Sequence, residues 1–219
     1  MPLVRRRIYL MRHAAVAYFE NGRPAQPHGV PLTEEGRGQA RAAAALFAEV
    51  MFDRVVTSGL PRTVETARIV APALEPESWP ELREIESGRL ADLPDPEAAF
   101  QSAFHGVVPE ETVFLGGETI GSLLDRVLPA VDRLRADQAW DCILAVLHGA
   151  VNRAILSHAL TGERMFLGNF EQAPACINVL DVGPDGWIVR AVNVAPYDLI
   201  HARGRTTTME ELWQQFRST

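Results

Sequence analysis

Short, wholly apolar runs alternate along this chain with longer stretches in which apolar residues return every three or four positions. The first pattern suits strands buried in a sheet, and the second suits helices laid on one. Ile8–Met11, bounded by charge, predicts a buried strand. Thr33-Glu34-Glu35 opens a helix, because Thr33 can cap it and the acids suit its positive end; it is expected to run through the alanine-rich stretch to Val50. Arg54–Thr57 is short and β-branched, a second strand, and Ser58-Gly59 turns the chain into a helix over Pro61–Val70, with proline tolerated in the first turn. After Gly116-Gly117-Glu118-Thr119, one helix face carries Leu123, Leu124, Val127, Val131 and Leu134. Ile143–Leu147 is apolar throughout, as in a central strand covered on both faces. A helix over Val151–Leu160 should stop before Gly162. Strands at Ile177–Val182 and Trp187–Val194 follow, joined at Gly183-Pro184-Asp185-Gly186. A last helix, Met209–Phe216, is capped near Thr208 and should dock on the domain or on a partner subunit, so a homodimer is one expectation.

Alternating strands and helices predict an α/β sandwich, read as a single domain over residues 1–219. The periodicity fades across residues 87–117, where Pro94, Pro96 and Pro109 interrupt it and Asp92, Asp95, Glu97, Glu110 and Glu111 make it acidic. That stretch is expected to be a partly helical, cap-like insertion over the site. With 28 acidic and 21 basic side chains and a net charge of -7, a general nucleic-acid binder is not expected. All 21 basic residues are Arg. Without lysine there can be no Schiff base, no Walker A phosphate loop and no kinase ATP site. No apolar run reaches the ~18 residues of a membrane span. The run after Arg5-Arg6-Arg7 is too short for a secretory leader. Cys142 and Cys176 lack a metal-ligand spacing and read as free thiols, which fits a cytoplasmic location.

The chemistry gathers where predicted strands end, the edge at which open α/β sheets bind ligands. Arg12-His13 follows the first strand, Arg62 comes four residues after Ser58 and the second, and His148 ends the most apolar one. Glu84 lies in Leu82-Arg83-Glu84-Ile85-Glu86, after a linker. Singly, each has an ordinary reading: a hydrogen-bonded core histidine, a solvated arginine, a loop acid. Together, two His and two Arg along one sheet edge point to an anion site.

These residues also carry a resemblance. Leu10-Met11-Arg12-His13-Ala14 resembles the RHG signature of the histidine phosphatase superfamily, the phosphoglycerate mutase-like fold. In the family's order follow Leu32-Thr33-Glu34-Glu35-Gly36, the segment Thr57-Ser58-Gly59-Leu60-Pro61-Arg62-Thr63-Val64-Glu65-Thr66-Ala67, Leu82-Arg83-Glu84 with Gly88, Gly117-Glu118-Thr119, and His148-Gly149-Ala150-Val151-Asn152-Arg153. The likeness covers about residues 8 to 195.

The resemblance implies a three-layer α/β/α sandwich with a mostly parallel central sheet. It implies His13 as a nucleophile that forms a phosphohistidine. Arg12, Arg62 and His148 would surround the phosphoryl oxygens, where Arg suits the charge. Glu84 would be the general acid and then the base, with Glu86 as its rival. Gly149, His28 and Gly29 would be further substrate contacts. No metal and no cofactor are expected. The chain departs from the family at Ala14-Ala15-Val16, where Gly and then polar residues are usual, and near Phe19, where Asn is usual. Tyr18 and Phe19 would give the mouth an aromatic wall, unless they are core.

Leu90–Asp125 contains no basic residue except His105, whereas a mutase must hold a second anionic group. The expected function is therefore a metal-independent phosphomonoesterase acting on a small phosphate ester. The alternatives are a phosphoglycerate mutase-type phosphoryl transferase and a non-catalytic phosphate- or partner-binding module on the same fold.

Overall fold

The computed structural model describes residues 5–20, 23–24, 29–202 and 205–217. It begins with β1 (Arg6–Arg12) and a two-residue hairpin of β2 (Phe19–Glu20) and β3 (Arg23–Pro24). Thr33 caps α1 (Glu34–Leu46) by accepting from the Gly36 N–H at 3.0 Å. The helix stops short of Val50. Phe47 leaves it and meets the ring of Tyr9 edge-on, with centroids 5.0 Å apart. β4 (Arg54–Thr57) and α2 (Pro61–Val70) have the bounds read from the sequence.

Next come β5 (Glu77–Ser78), α3 (Pro96–Ser102), β6 (Val107–Val108) and α4 (Ile120–Ala136). β7 (Cys142–Leu147) leads directly into α5 (Gly149–Thr161), which Gly162 ends with φ of 75°. The chain closes with β8 (Phe166–Leu167), β9 (Ile177–Gly183), β10 (Gly186–Val194) and α6 (Thr208–Arg217).

The main sheet has six strands in the order β10-β9-β1-β7-β4-β5. β1, β7, β4 and β5 are parallel, while at one side β9 pairs antiparallel with β1 and β10 antiparallel with β9. β5 pairs through only two residues, Glu77 and Ser78, too few for any periodicity to reveal it. It nevertheless turns the chain back along the sheet edge toward Glu84.

β7 shows why its run is apolar throughout. Ile143, Ala145 and Leu147 enter the core shared with α4 and α5, which includes Leu123, Val127 and Ala154. Leu144 and Val146 enter the core on the opposite face, with Ala40, Ala43 and Ala67 of α1 and α2. A strand with a helical layer on each face has no position left for a polar side chain.

The stretch from residue 87 to 117 contributes α3, β6 and two 3-10 turns. Its Phe100, Ala103 and Leu115 form a third apolar cluster with Met209 of α6. The Phe100 and Trp213 rings lie 5.5 Å apart, so the last helix docks on this same chain. Both cysteines are free; Cys176 is buried and Cys142 half-buried. Among the described residues no helix is long and apolar enough to cross a membrane.

Candidate active site

The loop that leaves β1 is fixed from every side. The His13 N–H donates to Leu147 O at 2.9 Å, which ties it to β7. The Ala14 N–H donates to Thr66 Oγ1 of α2 at 3.1 Å, and the Ala15 N–H to Gln39 Oε1 of α1 at 3.0 Å. A Cβ on Gly36 would stand 2.2 Å from Ala15 O, so α1 can cross here only with glycine at that position. Ala14 has no positive φ, and its methyl is buried in the α1–α2 core. Alanine is therefore unstrained where the family usually has glycine.

His13 is 1% exposed. Its Nδ1 lies 2.8 Å from Ala14 O and donates to it, which puts the lone pair on Nε2. Burial, reinforced by Arg62 and Arg12, holds its pKa well below the usual 6.5. Tyr18 Oη is 3.5 Å from Nε2.

The His148 ring centre lies 5.2 Å from that of His13. Its Nε2 is 2.8 Å from Ser58 Oγ, and its Nδ1 is buried without a partner. Burial, then His13, Arg62 and Arg12, depress its pKa well below 6.5. The imidazole is thus neutral. The positive charge here belongs to Arg12 and Arg62.

Both arginines are buried. Arg12 Nη1 donates to Gln172 O and, at 3.1 Å, to Thr208 Oγ1, while its Nε has no partner. Arg62 stands in the first turn of α2 and lines the same cavity as Arg12. Glu84 Oε1 accepts from the Ala150 N–H at 3.1 Å, at the positive end of α5. Gly149 lies between these groups. A Cβ there would be 3.6 Å from Glu84 Oε2 and 3.8 Å from Arg12 Nε.

His13, Arg12, Arg62, His148, Glu84 and Gly149 are therefore brought together. Glu86 lines the cavity but is exposed, and its N–H donates to Glu118 Oε2 at 3.1 Å. Of the two acids, it is Glu84 that meets α5. Gly29 lies in an exposed turn and is absent from the linings of the two cavities beside Arg12 and His13. His28 and the side chain of Phe19 lie outside the described residues.

Three residues hold the site without having drawn a role in the sequence. Arg153 is buried beneath Gly149, donates to Gly149 O at 3.1 Å and Gly168 O at 3.0 Å, and pairs with Glu171 at 3.3 Å. It sits in the quoted His148–Arg153 motif, which was the one signal available. Ser58 supports His148. Arg126 of α4 grips both Glu118 oxygens at 2.8 and 2.9 Å and also donates to the carbonyls of Glu81, Arg83 and Glu84.

A cavity of about 270 Å³ opens beside Arg62, Glu84 and Gly149, and one of about 740 Å³ beside His13. Arg12 and Tyr18 line both, so the two meet at these side chains. Among the described residues no group of His, Cys, Asp and Glu could hold a metal ion.

Comparison with known proteins agrees with this geometry. The family model described as the histidine phosphatase superfamily (branch 1) matches residues 8–195. An adenosylcobalamin/alpha-ribazole phosphatase of Salmonella typhimurium is 28% identical over 80% of this chain and 90% of its own length. A phosphoglycerate mutase-like protein 4 of Arabidopsis thaliana is 31% identical over 72% of each. The solved structure of a mycobacterial glucosyl-3-phosphoglycerate phosphatase superposes with a TM-score of 0.68 at 24% identity, covering 86% of this chain and 99% of that one. The chain belongs to the histidine phosphatase superfamily, branch 1, and is a phosphatase enzyme of that family.

Proposed function

We propose that this enzyme hydrolyses a small phosphate monoester without a metal, through a phosphohistidine on His13. One observation carries the reading. His13 lines a cavity with Arg12 and has the His148 ring 5.2 Å away, and two buried atoms of these neighbours, Arg12 Nε and His148 Nδ1, have no protein partner. Buried donors left unpaired are costly unless an acceptor comes to them, and a phosphoryl group brings three acceptor oxygens.

His13 Nε2 attacks phosphorus, and the ester P–O bond breaks. The leaving oxygen takes the Glu84 proton and departs as an alcohol. Arg12 and Arg62 balance the charge on the equatorial oxygens, and His148, held by Ser58, supplies a neutral hydrogen bond. Water then gives a proton to the Glu84 carboxylate and attacks the phosphohistidine. The N–P bond breaks, inorganic phosphate leaves, and His13 returns to the neutral imidazole. The neutral state of His13 supports its part, since a protonated ring has no lone pair to give.

Residues 87–117, with α6, form a cap over this site in our reading. Arg153 lines the cavity, but its bonds to two carbonyls and to Glu171 leave it little to offer a second anion. Exposed Arg83 stands at the rim of this cavity and exposed Arg205 lines the adjoining one beside His13, so neither is buried where it would clamp a second anion. That balance favours a hydrolase over a mutase.

Rapid acid-free quenching of a ³²P-labelled ester should trap label on wild-type protein, labile to acid and stable to base, and none on His13→Ala. Label that survives in His13→Ala, or metal-dependent turnover, overturns the reading.

A further inference from the structure

We infer that the alcohol half of the substrate is an apolar, ring-sized group, received by a slot that the cap and α6 build together; the inference rests on the phosphomonoesterase reading above. The cavity of about 270 Å³ has two unlike ends. At one end stand Arg12, Arg62, Glu84 and Gly149, where the phosphoryl group belongs. The rest of the wall is built mainly from Leu90, Phe100, Phe114, Leu115, Met209 and Leu212. These six side chains belong to one apolar cluster, shared between the 87–117 stretch and α6. Four residues of the stretch and two of the helix therefore face the same space.

Few polar groups are left to serve a hydroxylated alcohol there, since the Tyr18 hydroxyl sits at the anion end, 3.5 Å from His13 Nε2. Arg83, Glu86 and Ser87 lie at the exposed rim. Arg153 is turned to backbone and Glu171, with its guanidinium 4.6 Å over the Phe104 ring. The Thr208 hydroxyl is engaged by Glu171 at 2.6 Å and by Arg12. A sugar or glycerate hydroxyl pushed among the six apolar side chains loses its water without gaining a partner. An apolar remainder loses nothing and buries its surface. The acids of the cap, Asp92, Asp95 and Glu97, are absent from the wall, so they set the charge of the approach and not of the slot.

The test must separate this preference from leaving-group chemistry, so it compares primary alcohols. Wild-type kcat/KM for 3-phenylpropyl phosphate should exceed that for glycerol 3-phosphate by about 100-fold. Leu212→Asp and Leu90→Asp each put a charge in the wall from a half-buried position, and either should cut the ratio at least about tenfold. Calorimetry with two non-hydrolysable probes, 3-phenylpropylphosphonate and methylphosphonate, reads the slot without turnover.

Turnover of both esters at rates within about threefold of each other, or faster turnover of glycerol 3-phosphate, overturns the inference and leaves the hydrolase reading standing. Tighter binding of the phenylpropyl probe without turnover of any ester supports the slot and overturns the hydrolase reading. Neither turnover nor preferential binding overturns both.

Discussion

The two ends of the central cavity are built on opposite physical terms. The anion end is polar, buried and held by strand ends and helix starts. His13 is tied to β7, α1 and α2, His148 to Ser58, and Glu84 to α5. The end built by the 87–117 stretch and α6 is apolar and held by side-chain packing, chiefly Phe100 and Leu115 against Met209 and Trp213. Directional hydrogen bonds fix atoms to within a fraction of an ångström, as transfer of a phosphoryl group demands. Non-directional packing tolerates exchange of one apolar side chain for another.

If this contrast is right, substitutions at the two ends fail differently. The largest effect is expected for His13→Ala, which should lower turnover of every ester by at least about 10⁴-fold in initial-rate assays, with no phosphoenzyme. Retained activity would mean that the anion end works without its nucleophile. Glu84→Gln should follow, slowing alkyl esters by about 10² to 10⁴-fold and 4-nitrophenyl phosphate much less, since a nitrophenolate leaves unprotonated. Equal losses on both would remove Glu84 from proton transfer.

At the other end, Phe100→Ala should cost about 3–5 kcal/mol in denaturant unfolding, the usual range for an emptied aromatic core site. Its surviving activity should show a raised KM for apolar esters. Gly36→Ala crosses the divide: its Cβ would meet Ala15 O, so about 1–3 kcal/mol of stability should be lost together with kcat. If kcat survives, the clamp on the His13 loop is slacker than its hydrogen bonds imply.

The smallest expected effect is a pH dependence confined to the anion end. His13 and His148 both have depressed pKa values in the folded chain, from burial first and then from neighbouring cations. The unfolded chain takes up those protons as the pH falls through about 6.5, while the folded chain resists. Stability from these two residues is therefore complete above pH 6.5 and lost below it, down to the folded values. The slope approaches about 1.4 kcal/mol per pH unit for each histidine. Unfolding midpoints at pH 7.5 and 5.5 test this, and the drop should shrink in His13→Ala.

The same divide explains what could be read in advance. Strands β1, β4 and β7 announced themselves through apolar runs, because burial on both faces leaves a linear trace in sequence. The residues at their ends could then be placed along one edge. β5 left no trace, since two paired residues have no period. Arg126 and Arg153 looked like two arginines among 21. Their roles depend on carbonyls distant in sequence, from Glu81 to Arg126 and from Arg153 to Gly168. The charge state of His148 left no trace in the sequence for a related reason: burial, which decides it, is a property of the assembled fold. Nor did any pattern show that α6 would complete the cavity wall, although its apolar residues were visible.

Arg126 has one further consequence, which concerns time. The segment from Glu81 to Glu86 contains only one short 3-10 turn, at Pro80–Leu82, and Glu84 lies beyond it. Its backbone is gathered by a single guanidinium reaching over from α4, while Glu118, the anchor of that guanidinium, also receives the Glu86 N–H. Until α4 has docked, the Glu84 carboxylate has α5 to meet, but the backbone that carries it lacks its clasp. A partly folded chain can thus present a formed anion cradle before the Glu84 segment is in place. Recovery of turnover during refolding should keep pace with the docking of α4 and lag the pairing of β1 with β7.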